Sequence, residues 1–411
     1  MQKLCAPLDL FPPTRSAALA RLADFVPRAG RAYAAERNAD PGPGFKPNVS
    51  MLSPYLRHRI LTEREVIAAV VEQHSPSQAE KFIQEVFWRT YWKGWLQMRP
   101  QVWRDFLAER DAERERVGAN SGLARALAEA ESGRTGIECF DDWVHELVAS
   151  GYLHNHVRMW FASIWIFTLK LPWTLGAEFF LRHLLDADPA SNTLSWRWVA
   201  GIQTAGKTYL ARPDNIEKYT QGRYRPTDLA ETADPIRDEA PYSRVDLEEL
   251  PTVASDKPSL LLVHGDDLSA SACLGGEFDL RGAVVASAGH EQDPWPFGDK
   301  AEAFVQAAAT DAAESLRKEQ DFEVVIRDTL DAEAICRQAQ AAGVATVVTS
   351  EAPVGPLADG LERLARELDQ RAITLYRVRN VWDARAWPNA VKGFFPFKRK
   401  IPELVQQGLA G

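Results

Sequence analysis

Two kinds of hydrophobic pattern divide the chain. Over residues 9–225, apolar residues recur at i, i+3 and i+4, which predicts helices; the clearest stretches are 17–25, 65–71, 79–96, 142–148 and 157–169. After residue 258, short β-branched runs at 259–264, 283–287, 322–326, 345–349 and 372–378 alternate with helical patterns at 301–318, 331–342 and 356–369. That alternation predicts a parallel sheet with crossover helices.

These patterns predict a multi-domain protein. An all-α domain over residues 1–230 is followed by an acidic, proline-containing linker over 231–258 and a smaller α/β parallel-sheet, Rossmann-like domain over 259–411. Neither GxGxxG nor GxxxxGK[ST] follows the first strand. The α/β half therefore gives no sign of a dinucleotide or nucleoside triphosphate site.

Charge is distributed unevenly along the 411 residues. Residues 1–230 hold 29 Lys and Arg against 26 Asp and Glu, or +3, and residues 231–411 hold 19 against 31, or −12, which together give the net charge of −9. A polyanionic partner would therefore bind the first half of the chain. A net charge of +3 over that half is compatible with nucleic-acid binding but does not predict it. The four cysteines form no CxxC pair, and no metal site is predicted.

The sequence shows neither a membrane-spanning segment nor a secretory signal. The longest strongly apolar run, 159–169, is too short to span a bilayer, and the N-terminus shows no secretory pattern. We expect no membrane association and a cytoplasmic location.

Four motifs in the helical half combine chemistry-bearing residues. Residues 48–56 (NVSMLSPYL) resemble a helix start with Ser53 as N-cap, where backbone N–H groups could meet a phosphate. Residues 85–92 (EVFWRTYW) place Trp88 and Trp92 on one helix face. In residues 153–159 (LHNHVRM), Arg158 stands in an apolar helix and needs a partner, while residues 186–200 (DADPASNTLSWRWVA) combine two carboxylates with Trp196 and Trp198.

In this order, the four motifs resemble the flavin-binding domain of the photolyase/cryptochrome family over residues 9–225. The resemblance implies FAD as cofactor, with Tyr33 and residues 50–53 at its phosphates and ribose. Arg158 is expected to pair with Asp186 beside the flavin ring, and Asn192 to face the flavin N5 atom. The complete set of FAD contacts that it implies is Tyr33, Ser50, Met51, Leu52, Ser53, Arg89, Arg158, Asp186, Asp188 and Asn192.

The resemblance also implies a substrate, UV-damaged DNA. The pocket for a flipped cyclobutane pyrimidine dimer is expected to be lined by Glu85, Trp88, Asn155, Met159 and Trp198. Asn155 and Met159 stand where relatives that repair (6-4) lesions have histidines, which favours the dimer as substrate. Arg37 and His156 are expected DNA contacts.

Three positions depart from the family pattern. His156 and Thr90 replace a common Arg and a common Glu. In the tryptophan chain that reduces the flavin, Trp196 and Trp173 match the first two positions, but the third aligns with Ala130. Trp160 or Trp165 could replace it.

The α/β half is similar to the later part of the antenna domain that precedes the helical domain in ordinary photolyases. We therefore expect a circularly permuted order; an unrelated flavodoxin-like domain is the alternative. An antenna chromophore, pterin or deazaflavin, is possible but no residue supports it, and residues 289–297 are a candidate loop for one.

The expected function is light-driven DNA repair. The alternative is a cryptochrome-like photosensory flavoprotein without repair, with a possible protein partner bound through the acidic α/β domain. A light-independent redox flavoprotein would need a nicotinamide site, and the sequence gives none.

Overall fold

A computed structural model describes residues 7–44, 47–236, 242–252, 256–269, 278–287 and 298–410. Its first half is helical: α1 Pro7–Leu10, α2 Arg15–Phe25, α3 Arg31–Glu36, α4 Ser53–Arg57, α5 Glu63–Gln73, α6 Glu80–Gln97, α7 Gln101–Gly118, α8 Ser121–Glu131, α9 Glu138–Ser150, α10 Asn155–Ser163, α11 Trp173–His183, α12 Pro189–Val199 and α13 Pro213–Tyr219. A π-helical turn, Ile164–Thr168, extends α10. Among the residues that the structure describes, none of the helices combines the length and hydropathy needed to span a bilayer.

Local sequence accounts for where several of these helices begin. Thr62 and Glu65 form a reciprocal capping box at the start of α5, and the Asn120 side chain caps α8. The α7–α12 region is packed around large aromatic side chains that are almost fully buried, namely Trp143, Trp160, Trp165, Trp173 and Trp196.

The second half contains a five-stranded parallel sheet. Its strands are β1 Ser259–His264, β2 Leu280–Ala286, β3 Val324–Arg327, β4 Thr346–Ser350 and β5 Thr374–Val378, arranged in the order β3-β2-β1-β4-β5. The crossover helices are α14 Asp299–Glu319, α15 Ala332–Ala341 and α16 Pro356–Asp369. The predicted fold class, an all-α domain followed by a parallel α/β domain, is confirmed.

Alternate residues of each strand face opposite sides of the sheet. Leu261, Val285 and Val348 pack into the core that continues through α14 into the helical half. Their neighbours Leu262 and Val347 belong to a separate apolar cluster beneath α15 and α16. One face of the sheet is therefore directed at the helical half, and the other is covered by the sheet's own crossover helices.

The chain returns to the helical half after β5. Three short helices, α17 Val381–Ala386, α18 Phe394–Lys398 and α19 Ile401–Leu409, contact α5 and α6. Sequence patterning assigns these residues to the α/β domain, yet they pack as an outer layer on the first half. The domain limits at 230 and 258 and the circular permutation remain predictions, and residues 288–297, which contain the candidate antenna loop, lie outside the described residues.

The two halves also meet at the carboxyl end of β1, next to the point where the strand order reverses. In open α/β sheets this position forms the crevice that binds ligands. Here it meets the protein's own residues 57–59. The buried His58 ring lies 2.5 Å from Gly265 O and 3.3 Å from Leu185 O, and Leu268 N donates to His58 O at 2.9 Å.

The burial of His58 predicts acid sensitivity. Burial, with a contribution from Arg57, lowers the pKa of His58 to about 4. The unfolded chain, with an ordinary histidine pKa, therefore binds a proton first as the pH falls below 6.5, and stability is lost from there toward pH 4. We expect His58 to account for a loss of about 2 kcal/mol in unfolding free energy between about pH 7.5 and about pH 5. Urea unfolding at both pH values tests this.

The control for this measurement is a second histidine. His58→Gln should unfold with a weaker pH dependence than the wild type, whereas His145→Gln, at an exposed position, should keep the wild-type dependence. Equal pH dependence in wild type and His58→Gln would contradict the prediction.

Candidate functional site

A buried cluster of charged side chains lies where α6 meets the start of α12. Asp188 caps α12 by accepting a hydrogen bond from Ser191 N at 2.8 Å, and Arg89 of α6 donates to its other oxygen at 2.8 Å. Arg89 also lies 3.5 Å from Asp186, which accepts from Arg158 of α10 at 3.1 Å. The Arg158–Asp186 pair expected from the sequence is therefore present.

Two further cations complete the cluster. Lys93 of α6 lies 3.9 Å from Asp188, and Arg57 donates to Ala187 O at 3.2 Å. The other end of Arg57 pairs with Asp266 at 2.5 Å, so the α/β half contributes a carboxylate. Arg57, Lys93 and Asp188 are buried.

The cluster perturbs the pKa of its acids and of Lys93. Burial alone would raise the pKa of Asp188, but the charges of Arg89 and Lys93 outweigh it and hold that pKa well below its usual range. Burial is likewise outweighed at Asp186, by Arg158 and then Arg89, so its pKa is also lowered. Burial lowers the pKa of Lys93 despite the attraction of Asp188.

These residues fit an anionic cofactor. Ion pairs join four cations and three carboxylates in the cluster, namely Arg57, Arg89, Lys93, Arg158, Asp186, Asp188 and Asp266. The Lys93 ammonium also has no hydrogen-bond acceptor within the described residues. An unsatisfied buried ammonium is costly, and an anionic group bound there would satisfy it.

Of the residues expected at the FAD phosphates and ribose, Tyr33 lies on α3, residues 50–52 lie in the loop before α4, and Ser53 begins α4. Met51 has a left-handed backbone (φ 51°), and the chain turns there before α4 begins at Ser53. The N-cap predicted at Ser53 is wrong, because Leu52 holds that position and no side chain caps the helix. The Ser50 hydroxyl accepts from Leu52 N at 3.4 Å. Tyr33 is buried edge-on against aromatic rings of α2 and α6, and burial raises its pKa.

Asn192 is fixed one turn into α12. Its side-chain amide donates to Ala177 O of α11 at 2.8 Å, which orients the buried side chain.

The expected lesion pocket begins on the face of α6 that carries Glu85 and Trp88. Arg37, expected from the sequence as a DNA contact, donates to Glu85 Oε1 at 2.6 Å. Burial raises the pKa of Glu85, although Arg37 opposes the shift. One face of the Trp88 ring is stacked on Phe394 of α18, with centroids 3.5 Å apart and planes inclined by 12°.

The other expected pocket residues lie on α10 and α12. Asn155 is exposed at the first position of α10, and Met159 is half-buried one turn later. The half-buried Trp198 ring stacks on Tyr209, with centroids 5.6 Å apart.

His156, the second expected DNA contact, is held by the protein itself. Its ring nitrogens lie 3.0 Å from Asn38 O and 3.3 Å from the Tyr209 hydroxyl, and the ring stacks on Trp160. Burial lowers the pKa of His156, so its ring binds a proton less readily than that of an ordinary histidine.

The two tryptophans expected to carry electrons, Trp196 and Trp173, contact different aromatic rings. Trp196 meets Trp165 edge-on, with centroids 6.3 Å apart. Trp173 packs on Phe106 at 5.6 Å and donates to Glu109 at 2.9 Å. Ala130, at the third position of the expected chain, is buried.

Across the described ranges, no group of three or more His, Cys, Asp or Glu side chains could hold a metal ion.

Four residues of this region were not singled out by sequence reasoning: Arg57, Lys93, Asp266 and Phe394. Lys93 lies one turn beyond Arg89 on the same helix, so helical spacing could have identified it. The other three depend on contacts between the two halves of the chain, for which local patterning gives no signal.

Comparison with known proteins identifies relatives for the helical half. Residues 82–238 match the model of the FAD binding domain of DNA photolyase. The deoxyribodipyrimidine photo-lyase of one Thermus thermophilus strain is 35% identical over 208 residues, covering 49% of this chain and 46% of the relative. The corresponding Streptomyces griseus protein is 33% identical over 180 residues, covering 41% and 38%.

Two solved structures are also similar. A class III photolyase from Agrobacterium tumefaciens matches with a TM-score of 0.43 and 28% identity, covering 52% of this chain and 44% of that one. A Synechocystis cryptochrome matches with a TM-score of 0.39 and 24% identity, covering 51% and 43%. The matches to both curated relatives span less than half of each relative's length.

Proposed function

Since this chain belongs to the DNA photolyase/cryptochrome family through its FAD-binding helical half, we propose that it is a light-driven DNA lyase that splits cyclobutane pyrimidine dimers. One observation carries the proposal. Glu85 and Trp88 lie on the same stretch of α6 as Arg89, which pairs with Asp186 and Asp188. The expected lesion residues and the expected cofactor residues are therefore adjacent on one rigid helix.

The cofactor is FAD, which when bound supplies light absorption and the electron for ring splitting. Arg89, Arg158 and Lys93 would hold its anionic groups, while Asp186 and Asp188 keep these cations in place. Asn192, oriented by its bond to Ala177 O, would present its amide oxygen to the flavin ring.

The lesion residues would receive the flipped dimer. Its extraction from the duplex costs a few kcal/mol, least at a damaged base pair, and stacking on an aromatic side chain contributes about 1–3 kcal/mol per base. Trp198 and the ring face of Trp88 that does not meet Phe394 would provide the stacking surfaces. Glu85, fixed by Arg37, would form hydrogen bonds with the base edges.

The repair assay tests this proposal. We expect the FAD-loaded, reduced protein to restore thymine absorbance in a dimer-containing oligonucleotide under blue light but not in the dark. Glu85→Gln should lower the repair rate roughly 100-fold, because it replaces the charge-assisted hydrogen bonds that the carboxylate would accept from base N–H groups by weaker bonds to a neutral amide. Glu72→Gln, at an exposed position of α5, is the matched control and should repair at the wild-type rate.

The same assay distinguishes the lyase from the alternative, photosensory function. A cryptochrome-like photosensory role is favoured by one observation, the stacking of Phe394 on a face of Trp88 that a base would otherwise use. If the FAD-loaded wild type repairs neither single- nor double-stranded substrate, the lyase proposal fails and the photosensory one takes its place.

For electron supply, we propose that Trp196 donates an electron to the photoexcited cofactor and that Trp165 then re-reduces Trp196, in place of the chain that Ala130 interrupts. The edge-on contact between the two indole rings at 6.3 Å supports this route. We expect Trp196→Phe and Trp165→Phe to slow light-induced reduction of the bound cofactor, measured by bleaching of its absorbance. If Trp173→Phe slows reduction and Trp165→Phe does not, the route follows the family pattern instead.

A further inference from the structure

Residues 392–400 (KGFFPFKRK) form a basic, aromatic segment in an otherwise acidic half of the chain. Residues 384–402 contain five basic residues and no acidic one, whereas residues 231–411 together carry a charge of −12. Within the segment, Lys392, Arg399 and Lys400 are exposed. A cluster of cations on an acidic background favours a polyanionic partner at this one place.

The segment is fixed firmly to α6. Phe394 stacks on Trp88, and the buried Phe397 ring packs against Tyr91 with centroids 5.3 Å apart. The Tyr91 hydroxyl donates to Lys392 O at 2.8 Å. Lys398 pairs with Glu80, at the start of α6, at 3.2 Å. The segment therefore lies along the part of α6 that carries Glu85.

The Phe395 side chain points away from α6. It is 82% exposed, the most exposed of the large apolar side chains among the described residues. Phe394 and Phe397 are three positions apart and share the face of α18 that meets α6, which leaves Phe395 directed at solvent. A single exposed apolar side chain is common on protein surfaces, but this ring stands on the segment that also carries three exposed cations.

We propose that residues 392–400 are part of the DNA-binding surface, where Phe395 stacks against a base beside the dimer pocket while Lys392, Arg399 and Lys400 contact backbone phosphates. Aromatic side chains on a basic surface are the usual means of binding unpaired bases, and apolar wedges enter between base steps of bent duplexes. The inference rests on the proposed function, because that proposal assigns the pocket beside the segment.

Binding to undamaged DNA in the dark tests the inference separately from repair. Fluorescence anisotropy of a labelled thymine-only single strand, and of its duplex, measures the affinity of the FAD-loaded protein. Phe395→Ala should bind the single strand roughly 5- to 100-fold more weakly, as expected for one lost stacking contact. Arg399→Ala should reduce the slope of log affinity against log salt by about 1.

Matched variants control for surface changes elsewhere. Leu19→Ala replaces another exposed apolar side chain, and Arg337→Ala another exposed arginine; both should bind DNA like the wild type. All four variants should keep wild-type FAD content and thermal stability, since their side chains are at the surface.

Three results would overturn the inference. If both the Phe395 and Arg399 variants bind DNA with wild-type affinity and salt dependence, the segment is not part of the DNA-binding surface. This result would not contradict the lyase proposal. Self-association of the wild type that Phe395→Ala abolishes, with DNA binding unchanged, would assign the ring to an interface between two copies of the chain. A wild type that neither binds nor repairs DNA would refute the lyase proposal and this inference with it.

Discussion

Asp188→Asn is expected to release FAD from the protein and to lower its free energy of unfolding by about 3–5 kcal/mol. Asp188 is buried and lies 2.8 Å from Arg89 and 3.9 Å from Lys93. Removing its charge leaves the buried Lys93 and the half-buried Arg89 without their nearest counter-ion, and such an uncompensated charge is far more costly than a lost surface pair. FAD absorbance after gel filtration and urea unfolding measure the two effects.

The substitution isolates charge because asparagine keeps the helix cap. Asp188 also accepts a hydrogen bond from Ser191 N at the start of α12, and asparagine caps helices as well as aspartate does. Asp188→Ala removes the cap too and should cost about 1 kcal/mol more. The control is Asp24→Asn, because Asp24 forms an exposed pair with Arg28 and its loss should change stability by at most about 0.5 kcal/mol.

The pH dependence gives this prediction a second test. Because its neighbouring cations hold the pKa of Asp188 below its usual range, the stability that it contributes is present above about pH 4 and is lost as the pH falls further. The difference between wild type and Asp188→Asn should therefore be constant from about pH 8 to about pH 6. Full FAD content in Asp188→Asn, with less than about 1 kcal/mol of destabilisation near neutral pH, would contradict the role of this carboxylate.

The sequence predicts the elements well wherever local periodicity determines them. The observed bounds of β1, Ser259–His264, and of α16, Pro356–Asp369, are those that the hydrophobic pattern predicts. The Arg158–Asp186 pair was also predictable, because a charged residue in an apolar helix requires a partner and the family motif supplies one.

What the sequence does not predict is how the halves fit together. His58 and Gly265 are 207 positions apart, and neither the RHR run at 57–59 nor the GDD run at 265–267 shows a periodicity that indicates the other. The stacking of Phe394 on Trp88 also joins residues far apart in sequence, and it changes the expected pocket by occupying one ring face. Such contacts depend on packing of the whole chain, which local pattern does not encode.

Arg59 is the centre of the contact between the halves. Its side chain is almost fully buried and lies 3.4 Å from Glu63 and 3.0 Å from Asp267, and it forms a short ion pair with Asp383 of α17. One guanidinium thus joins α5, the loop after β1 and the C-terminal helices. The forked geometry of arginine permits this, and the single ammonium of lysine does not.

Arg59→Met is therefore expected to destabilise the protein by about 3–5 kcal/mol at about pH 7.5, because it leaves three carboxylates buried without the cation that they share. The unfolding free energy of Arg59→Lys should lie between those of Arg59→Met and the wild type, since lysine keeps the charge but lacks the forked guanidinium. Arg125→Met is the control, because the Arg125 side chain is 81% exposed and its removal should change stability by at most about 0.5 kcal/mol.

The effect of Arg59→Met should shrink as the solution becomes more acidic. Burial raises the pKa of Asp383 to about 6 even with Arg59 beside it, so the folded protein binds this proton more tightly than the unfolded chain does. Without Arg59, Asp383 binds its proton at still higher pH, and this protonation relieves the repulsion that destabilises the variant. The difference in unfolding free energy between variant and wild type should therefore be smaller at about pH 5.5 than at about pH 7.5. An equal difference at both pH values would mean that Arg59 stabilises the contact by packing and not by neutralising Glu63, Asp267 and Asp383.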